Sequence, residues 1–336
     1  MDILGSAAAV GTVGVVIFAA YRANRVLAAG RRRDRLLTRL LTFVTLASLL
    51  YAGVVVAAAV SELDGSVLDA VALIAYGAAA AVCFVGGCVL LRSKAAARRL
   101  KLILPSDAGF LPDSPVHITA VVLILAYTSV IFGDFVAAGG ISGLADSISN
   151  TGVTLGGELV ALTLWLVATI VGVGLGLRRT FRMAIVRLGL RLPILSDLAN
   201  GAGVGFLMVM FALIFTATWM GLVSPEQFQA QTEASARLAE SFGSLSAIIV
   251  LNLLIALGEE VFFRGALLPI FGNLPTSIFF VILHTQYTLT PAALQILIVS
   301  LTFGWLRKSQ NTTAALIAHF VYNGVLLSLG LLQVRA

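Results

Sequence analysis

The sequence predicts an all-α fold, a polytopic transmembrane helix bundle of about eight to ten helices. Two observations carry that expectation. The AVILMFWYC set makes up 59% of the 336 residues and charged residues only 11%, with mean hydropathy +1.02; a soluble domain carries roughly 25% charged residues. The apolar residues also come in runs of 13 to 26 residues, not in the alternating segments of about 10 residues that build a membrane barrel. Backbone groups in lipid must be satisfied within the chain, so such runs become helices. An ordinary water-soluble enzyme is excluded, as are collagen-like, disordered and disulfide-scaffold classes. Cys83 and Cys88 share one apolar run and read as small apolar side chains rather than a disulfide or zinc framework.

At roughly 20 residues per span, the candidate helices are 3–21, 40–61, 70–91, 115–133, 159–177, 199–224, 243–268, 276–288, 291–306 and 313–332. The first is preceded by Asp2 and has no basic n-region, so it reads as a retained helix and not as a cleaved signal. The runs 276–288 and 291–306 are short, which leaves the count between eight and ten.

The loops between these runs alternate in charge. The first holds Arg22, Arg25, Arg31, Arg32, Arg33, Arg35 and Arg39 against Asp34. The third holds Arg92, Lys94, Arg98, Arg99 and Lys101 against Asp107 and Asp113, and the fifth Arg178, Arg179, Arg182, Arg187 and Arg191 against Asp197. The second and fourth carry acid without base, and the sixth has Glu226, Glu233 and Glu240 against Arg237. Arg307 and Lys308 mark a further basic turn, while Arg335 near the C-terminus breaks the alternation mildly. Excess Lys and Arg stay cytoplasmic, which puts the N-terminus outside. The net charge of +6 and pI of about 9.7 thus reflect topology; the expected partner is the lipid bilayer, with no nucleic acid. The basic stretch 178–198 reads first as a solvated connector and second as a short interfacial helix. High Gly, Ala and Val content fits a cell membrane of prokaryotic type, hence a multi-pass plasma-membrane protein.

Ionisable residues inside spans are functional candidates by default. The densest group is Glu259-Glu260-Val261-Phe262-Phe263-Arg264 within the run 243–268. Glu260 and Arg264, at i and i+4, share a helix face; Glu259 is rotated about 100° away. One glutamate is thereby expected in a structural ion pair and the other for chemistry. Of the three histidines, His117 lies near a helix start and reads as an interface residue, while His284 and His319 lie in the C-terminal runs. His319 and Asn323 again share a face. The stretch Pro269 to Pro275 reads as a tight cytoplasmic turn. Counting from it, Glu259 is about 15 Å deep and His284 about 13 to 14 Å, while His319 is roughly 10 Å beyond the 307–312 turn. Three helices bring these groups to a similar depth, in an intramembrane cavity nearer the cytoplasmic leaflet.

Two chemistries fit this set. Glu259, His284 and His319 can bind a divalent metal, Zn2+ above all, whose bound water becomes a nucleophile. Alternatively, Glu259 deprotonates water directly, a histidine positions it, and His319 and Asn323 donate to a developing oxyanion. Either hydrolyses an amide. The HExxH zinc motif is absent.

The three motifs EExxxR, FxxxH and HxxxN appear in order as Glu259-Glu260-Val-Phe-Phe-Arg264, Phe280-Val-Ile-Leu-His284 and His319-Phe-Val-Tyr-Asn323. In this the chain resembles the CPBP intramembrane endopeptidases, the CAAX protease and bacteriocin-processing family. The resemblance covers about residues 199–332, which divides the chain into accessory N-terminal helices, 1–198, and a catalytic helix bundle, 199–332. It implies an intramembrane endopeptidase acting on membrane-associated or lipid-anchored proteins or peptides. It further implies Glu259 as the water-activating base with His284 as its partner, His319 and Asn323 as oxyanion or metal-side groups, and Glu260 and Arg264 in support. The 25 residues between Glu259 and His284 are fewer than the family's usual spacing, which demands a tight connection.

Three other readings compete. Gly140-Ile141-Ser142-Gly143 fits the GxSG pattern of rhomboid-like serine proteases, but in a loop assigned to the outside. A proton-coupled transporter would use the buried Glu, Arg and His, yet all of these lie in the C-terminal half, with no inverted repeat in view. A noncatalytic membrane scaffold or immunity protein would tolerate loss of Glu259.

Overall fold

The computed structural model describes residues 3–61, 67–139, 155–222, 244–284 and 291–335. The helices are α1 (Ile3–Ala28), α2 (Arg35–Ser61), α3 (Val67–Arg92), α4 (Lys94–Ile103), α5 (Pro115–Ala137), α6 (Leu155–Gly172), α7 (Phe181–Leu188), α8 (Leu195–Met220) and α9 (Leu245–Glu260). A π-helical segment, Val261–Leu267, continues α9 into α10 (Leu268–Phe271), followed by α11 (Asn273–Leu283), α12 (Pro291–Ser309) and α13 (Thr312–Arg335). No strand occurs among the described residues; one isolated bridge joins Leu175 and Arg179.

Each apolar run of the sequence contains a helix among its described residues. Among the described residues, six helical stretches are long and apolar enough to cross a membrane: Arg35–Val60, Ala70–Arg92, Pro115–Ala137, Leu195–Met220, Leu245–Phe271 and Thr312–Leu332. Leu162–Gly172 and Asn273–Leu283 are shorter apolar helices. Phe43, Val54, Ile74 and Val82 point outward, as lipid-facing side chains do. The chain is a multi-pass membrane protein.

Helix contacts follow small residues. In α8, Gly201 and Gly205 face α13 so closely that a Cβ at Gly205 would sit 2.7 Å from the Ala318 carbonyl oxygen. Such small-xxx-small faces let helix backbones approach in lipid. Met208, Val209 and Ala212 of α8 then close a core with Phe303 of α12 and Ala314, Ala318 and Tyr322 of α13.

The odd-numbered loops gather at one end of the bundle. Arg32 pairs with Asp113 at 3.4 Å and Lys308 with Asp107 at 2.7 Å. The Gly109 N–H donates to the Pro269 carbonyl at 3.1 Å, and the Thr312 N–H to the Gly189 carbonyl at 2.9 Å. Arg191 grips the buried Asp197 through two hydrogen bonds of 3.0 and 2.7 Å, and Asn311 donates to the same carboxylate at 2.7 Å. Loop five is thus clasped to the start of α13. The acidic residues Glu62, Asp64, Asp146, Glu226, Glu233 and Glu240, and the GxSG stretch with Ser142, lie outside the described residues.

Three details differ from the sequence reading. Residues 94–103 and 181–188, read as loop, form α4 and α7. Both have N-caps, Ser93 and Thr180, and both show apolar side chains on the surface, Leu102 and Ile103 on α4 and Phe181 and Val186 on α7. That is a pattern a helix lying in the interface would show, and residues 181–188 of the stretch 178–198 are helical rather than a loop. The turn expected over 269–275 shrinks to Gly272, whose φ of 83° suits only a residue without Cβ. Pro269 and Pro275 sit inside the short helices on either side of it.

Candidate active site

The site grows out of the point where α9 stops being α-helical. The Leu268 N–H reaches the Phe263 carbonyl, five residues back, the mark of a π turn. Pro269 has no N–H to give the Gly265 carbonyl four residues before it. Arg187 of α7 supplies the donor instead: its Nη1 bonds the Gly265 carbonyl at 2.8 Å and its Nη2 the Ala266 carbonyl at 3.4 Å. Gly265 permits this approach, because a Cβ there would lie 2.9 Å from Leu188 Cδ2 and 3.1 Å from the Leu188 carbonyl oxygen. Arg187, expected as a solvated loop charge, instead braces the segment that carries the candidate chemistry.

Glu260 and Arg264 form the anticipated i, i+4 pair, with Arg264 Nη1 3.0 Å from Glu260 Oε1 and both side chains at 1% exposure or less. A buried pair is strengthened when its remaining valences are met; here they are met in part, since Glu260 Oε2 has no hydrogen-bond partner among the described residues. Arg264 Nη2 donates to the Ser300 hydroxyl at 3.1 Å and the Ser300 carbonyl at 3.2 Å. The guanidinium also lies 4.7 Å from the Phe280 ring centre and 5.9 Å from that of Phe303, within cation–π range.

From Glu260 a chain of hydrogen bonds runs into α13. His319 Nδ1 lies 2.9 Å from Glu260 Oε1, and Asn323 Nδ2 lies 2.9 Å from His319 Nε2. A carboxylate only accepts and an amide nitrogen only donates. The neutral tautomer with the proton on Nδ1 therefore satisfies both contacts: Nδ1–H donates to Glu260, and Nε2 accepts from Asn323. Glu259 stands beside this chain. Its Oε2 is 3.8 Å from His319 Nε2, its side chain is 27% exposed, and Oε2 has no hydrogen-bond donor among the described residues.

His284 caps α11. Its Nδ1 lies 2.8 Å from the Phe280 carbonyl, an acceptor, so Nδ1 carries the proton and Nε2 the lone pair. Its ring stacks on Phe280 at 4.3 Å, and Phe280 meets the His319 ring edge-on at 6.3 Å. Phe280 thus separates the two imidazoles while Arg264 lies over its face. Glu259, Glu260, Arg264, His319 and Asn323 are brought into one contact group, and His284 joins through Phe280.

Among the described residues, no three His, Cys, Asp or Glu side chains converge as a metal group. His319 Nε2 is engaged by Asn323.

Sequence reasoning missed Ser300, Arg187 and Asn252. Asn252 Nδ2 donates to the Phe320 carbonyl at 2.7 Å, tying α9 to α13 at the residue next to His319. A buried asparagine in an apolar run was a visible signal; Ser300 and Arg187 were not, since their partners are backbone and guanidinium groups distant in sequence. His117 is an internal brace near its helix start: Leu111 N–H donates to its Nδ1 at 3.0 Å.

No curated protein and no solved structure matches the chain. Residues 241–325, which hold all six candidate residues, match the family described as type II CAAX prenyl endopeptidase Rce1-like. Over those residues the C-terminal block of this membrane protein is similar to CAAX protease-like enzymes.

Proposed function

We propose that the protein is an intramembrane endopeptidase in which Glu259 activates the attacking water without a metal. The observation that carries this reading is the chain Arg264–Glu260–His319–Asn323, fixed inside the bundle, with the carboxylate of Glu259 beside it and, among the described residues, in no ion pair with Lys or Arg. Glu260 is neutralised by Arg264 and spent on orienting His319; Glu259 remains for proton transfer. Glu259 takes a proton from water as its oxygen attacks the scissile carbonyl carbon. His284 accepts from the same water through Nε2 and sets its line of approach. One amide hydrogen of Asn323 serves His319 Nε2; the other donates to the oxyanion. As the C–N bond breaks, Glu259 returns the proton to the leaving amine. His319 positions Asn323 and does not touch substrate.

Substrates of this reading are membrane-associated peptides or proteins, because the site lies between apolar helices. The end that gathers the basic loops faces the cytoplasm and the N-terminus lies outside, by the bias of Lys and Arg, in the plasma membrane of a prokaryotic cell.

The test is hydrolysis of a library of membrane-associated peptides by the detergent-solubilised protein, with and without chelator, zinc re-addition and His284→Ala. Cleavage that resists chelator and disappears in folded His284→Ala is expected. Cleavage abolished by chelator and restored by zinc would overturn the metal-free route; cleavage that survives His284→Ala would overturn the site.

A further inference from the structure

A cavity lies against the π segment. It has a volume of about 1200 Å³ and runs between α1, α5, α6 and the π segment. Phe262, Ala266 and Leu267 line it, but Glu259, Glu260, Arg264, His284, His319 and Asn323 do not. Its walls are apolar side chains such as Val16, Leu123, Ile124, Leu164, Trp165 and Ile270. Along α5 it extends from His117 to Asp134, about 25 Å at 1.5 Å per residue, most of a hydrocarbon core of about 30 Å. It is larger than the roughly 300–1,000 Å³ of a small-molecule pocket.

Its mouth is cationic. Arg178, Arg179 and Arg187 line it together with Arg31 and Arg32. Arg32 has a carboxylate partner, the exposed Asp113 at 3.4 Å. The other lining acid, Asp134, is at the far end and accepts from the Tyr51 hydroxyl. Among the described residues, Arg178, Arg179 and Arg187 have only neutral partners: Asn24 Oδ1 at 2.7 Å for Arg178, the Val173 carbonyl for Arg179, and the Gly265 and Ala266 carbonyls for Arg187. All three are half-buried, so they are not the fully solvated charges that topology alone would ask for. Burial, then the nearby Arg179, Arg307 and Arg178, lower the Arg187 guanidinium to about 10, a crowding of like charge with no anion to offset it. Unpaired ions withdrawn from water cost several kcal/mol each, and guanidinium forks match phosphate oxygens two at a time.

We propose that this cavity binds an anionic membrane lipid, with its phosphate at Arg178, Arg179 and Arg187 and an acyl chain along the apolar wall toward Trp165. The site stands apart from the hydrolytic centre and does not depend on its chemistry. Arg187 links the two regions, since the same side chain that meets the headgroup also braces the π segment.

The experiment uses Trp165 as the reporter. Trp219 and Trp305 are changed to Phe, which leaves Trp165 as the sole tryptophan of the three. The full chain is stripped of lipid in detergent and titrated with phosphatidylglycerol or phosphatidylcholine brominated in the acyl chain. Phosphatidylglycerol is expected to quench Trp165 saturably, at a half-point on the order of ten-fold below that of phosphatidylcholine, equivalent to about 1.4 kcal/mol. The paired change Arg178→Gln and Arg179→Gln is expected to erase that preference. Ala120→Phe, which fills the cavity away from the cations, is expected to weaken quenching by both lipids, with helicity and monodisperse elution retained. Equal half-points for the two lipids would overturn the proposal, as would a preference that survives both folded variants. Displacement by millimolar inorganic phosphate would assign the cations to a soluble anion and also overturn it. So would tight binding of a neutral lipidated peptide with no headgroup preference, which would make the cavity a seat for a peptide's anchor.

Discussion

The N-terminal and C-terminal helices place their charges differently, and burial follows charge. In the most apolar window of Arg35–Val60, 22% of residues are buried; in that of Leu245–Phe271, 39% are. The ionisable residues of α2 and α5 sit near helix ends, as Arg35 and Arg39 do on α2 and His117 and Asp134 do on α5. In α9 and the π segment, Glu259, Glu260 and Arg264 sit in mid-span. A mid-span charge is tolerated only when packed and paired, so the C-terminal helices close tightly around theirs. The N-terminal helices are under no such demand and leave a large cavity where they meet the π segment.

The largest effect that would sharpen this contrast is expected from Arg264→Ala. It strands Glu260 as a buried charge, at a cost of about 3–5 kcal/mol, and thermal unfolding in detergent should show a large fall in midpoint. An unchanged midpoint would mean that the pair is not holding the C-terminal block together. Next comes Gly205→Leu, which must push α8 off the Ala318 carbonyl and should lose up to about 3 kcal/mol by overpacking. Its N-terminal counterpart is Gly53→Ala, where no atom lies within 4 Å of a Cβ and helix propensity favours alanine. That change should be neutral or slightly stabilising, and a comparable loss at both positions would erase the contrast.

Arg187→Met should cost about 1–3 kcal/mol by stranding the Gly265 and Ala266 carbonyls. Because the π segment positions Glu259, catalytic rate should fall more than substrate affinity. A change in affinity alone would argue that Arg187 is only a surface contact.

The smallest effect is expected from Asp107→Asn, below about 1 kcal/mol, since the ion pair to Lys308 is exposed. The Lys308 ammonium holds the Asp107 carboxyl below its usual value. A carboxyl lowered by folding adds stability above its unfolded value, and that contribution fades as pH falls through the folded one. The difference between Asp107→Asn and the unchanged protein should therefore vanish in acid.

The helices themselves were legible in the sequence because apolar runs of membrane length have few alternatives. The pairing of Glu260 with Arg264, and of His319 with Asn323, followed from helical spacing. The different surroundings of Glu259 and Glu260 followed from the rotation between neighbours. What spacing could not show is the change from α to π after Glu260. Apolar pattern is nearly the same for both, and the signals are indirect: Gly265 for close approach and Pro269 for the missing donor. The bracing Arg187 was hidden for the same reason, since nothing in a basic loop says which arginine turns inward to a backbone carbonyl. Residue types alone suggested zinc; they did not show that His319 spends one nitrogen on Glu260 and the other on Asn323.

The most direct measurement is the cleavage rate of Glu259→Gln in detergent, beside the unchanged protein and with folding verified by thermal unfolding. The substitution keeps shape and removes the base, and Glu259 has no ion pair with Arg264 to lose. Near-wild-type stability with cleavage lowered by at least about 100-fold is expected, in line with the loss of a general base. Undiminished cleavage by the folded variant would contradict the assignment of Glu259 as the group that activates water.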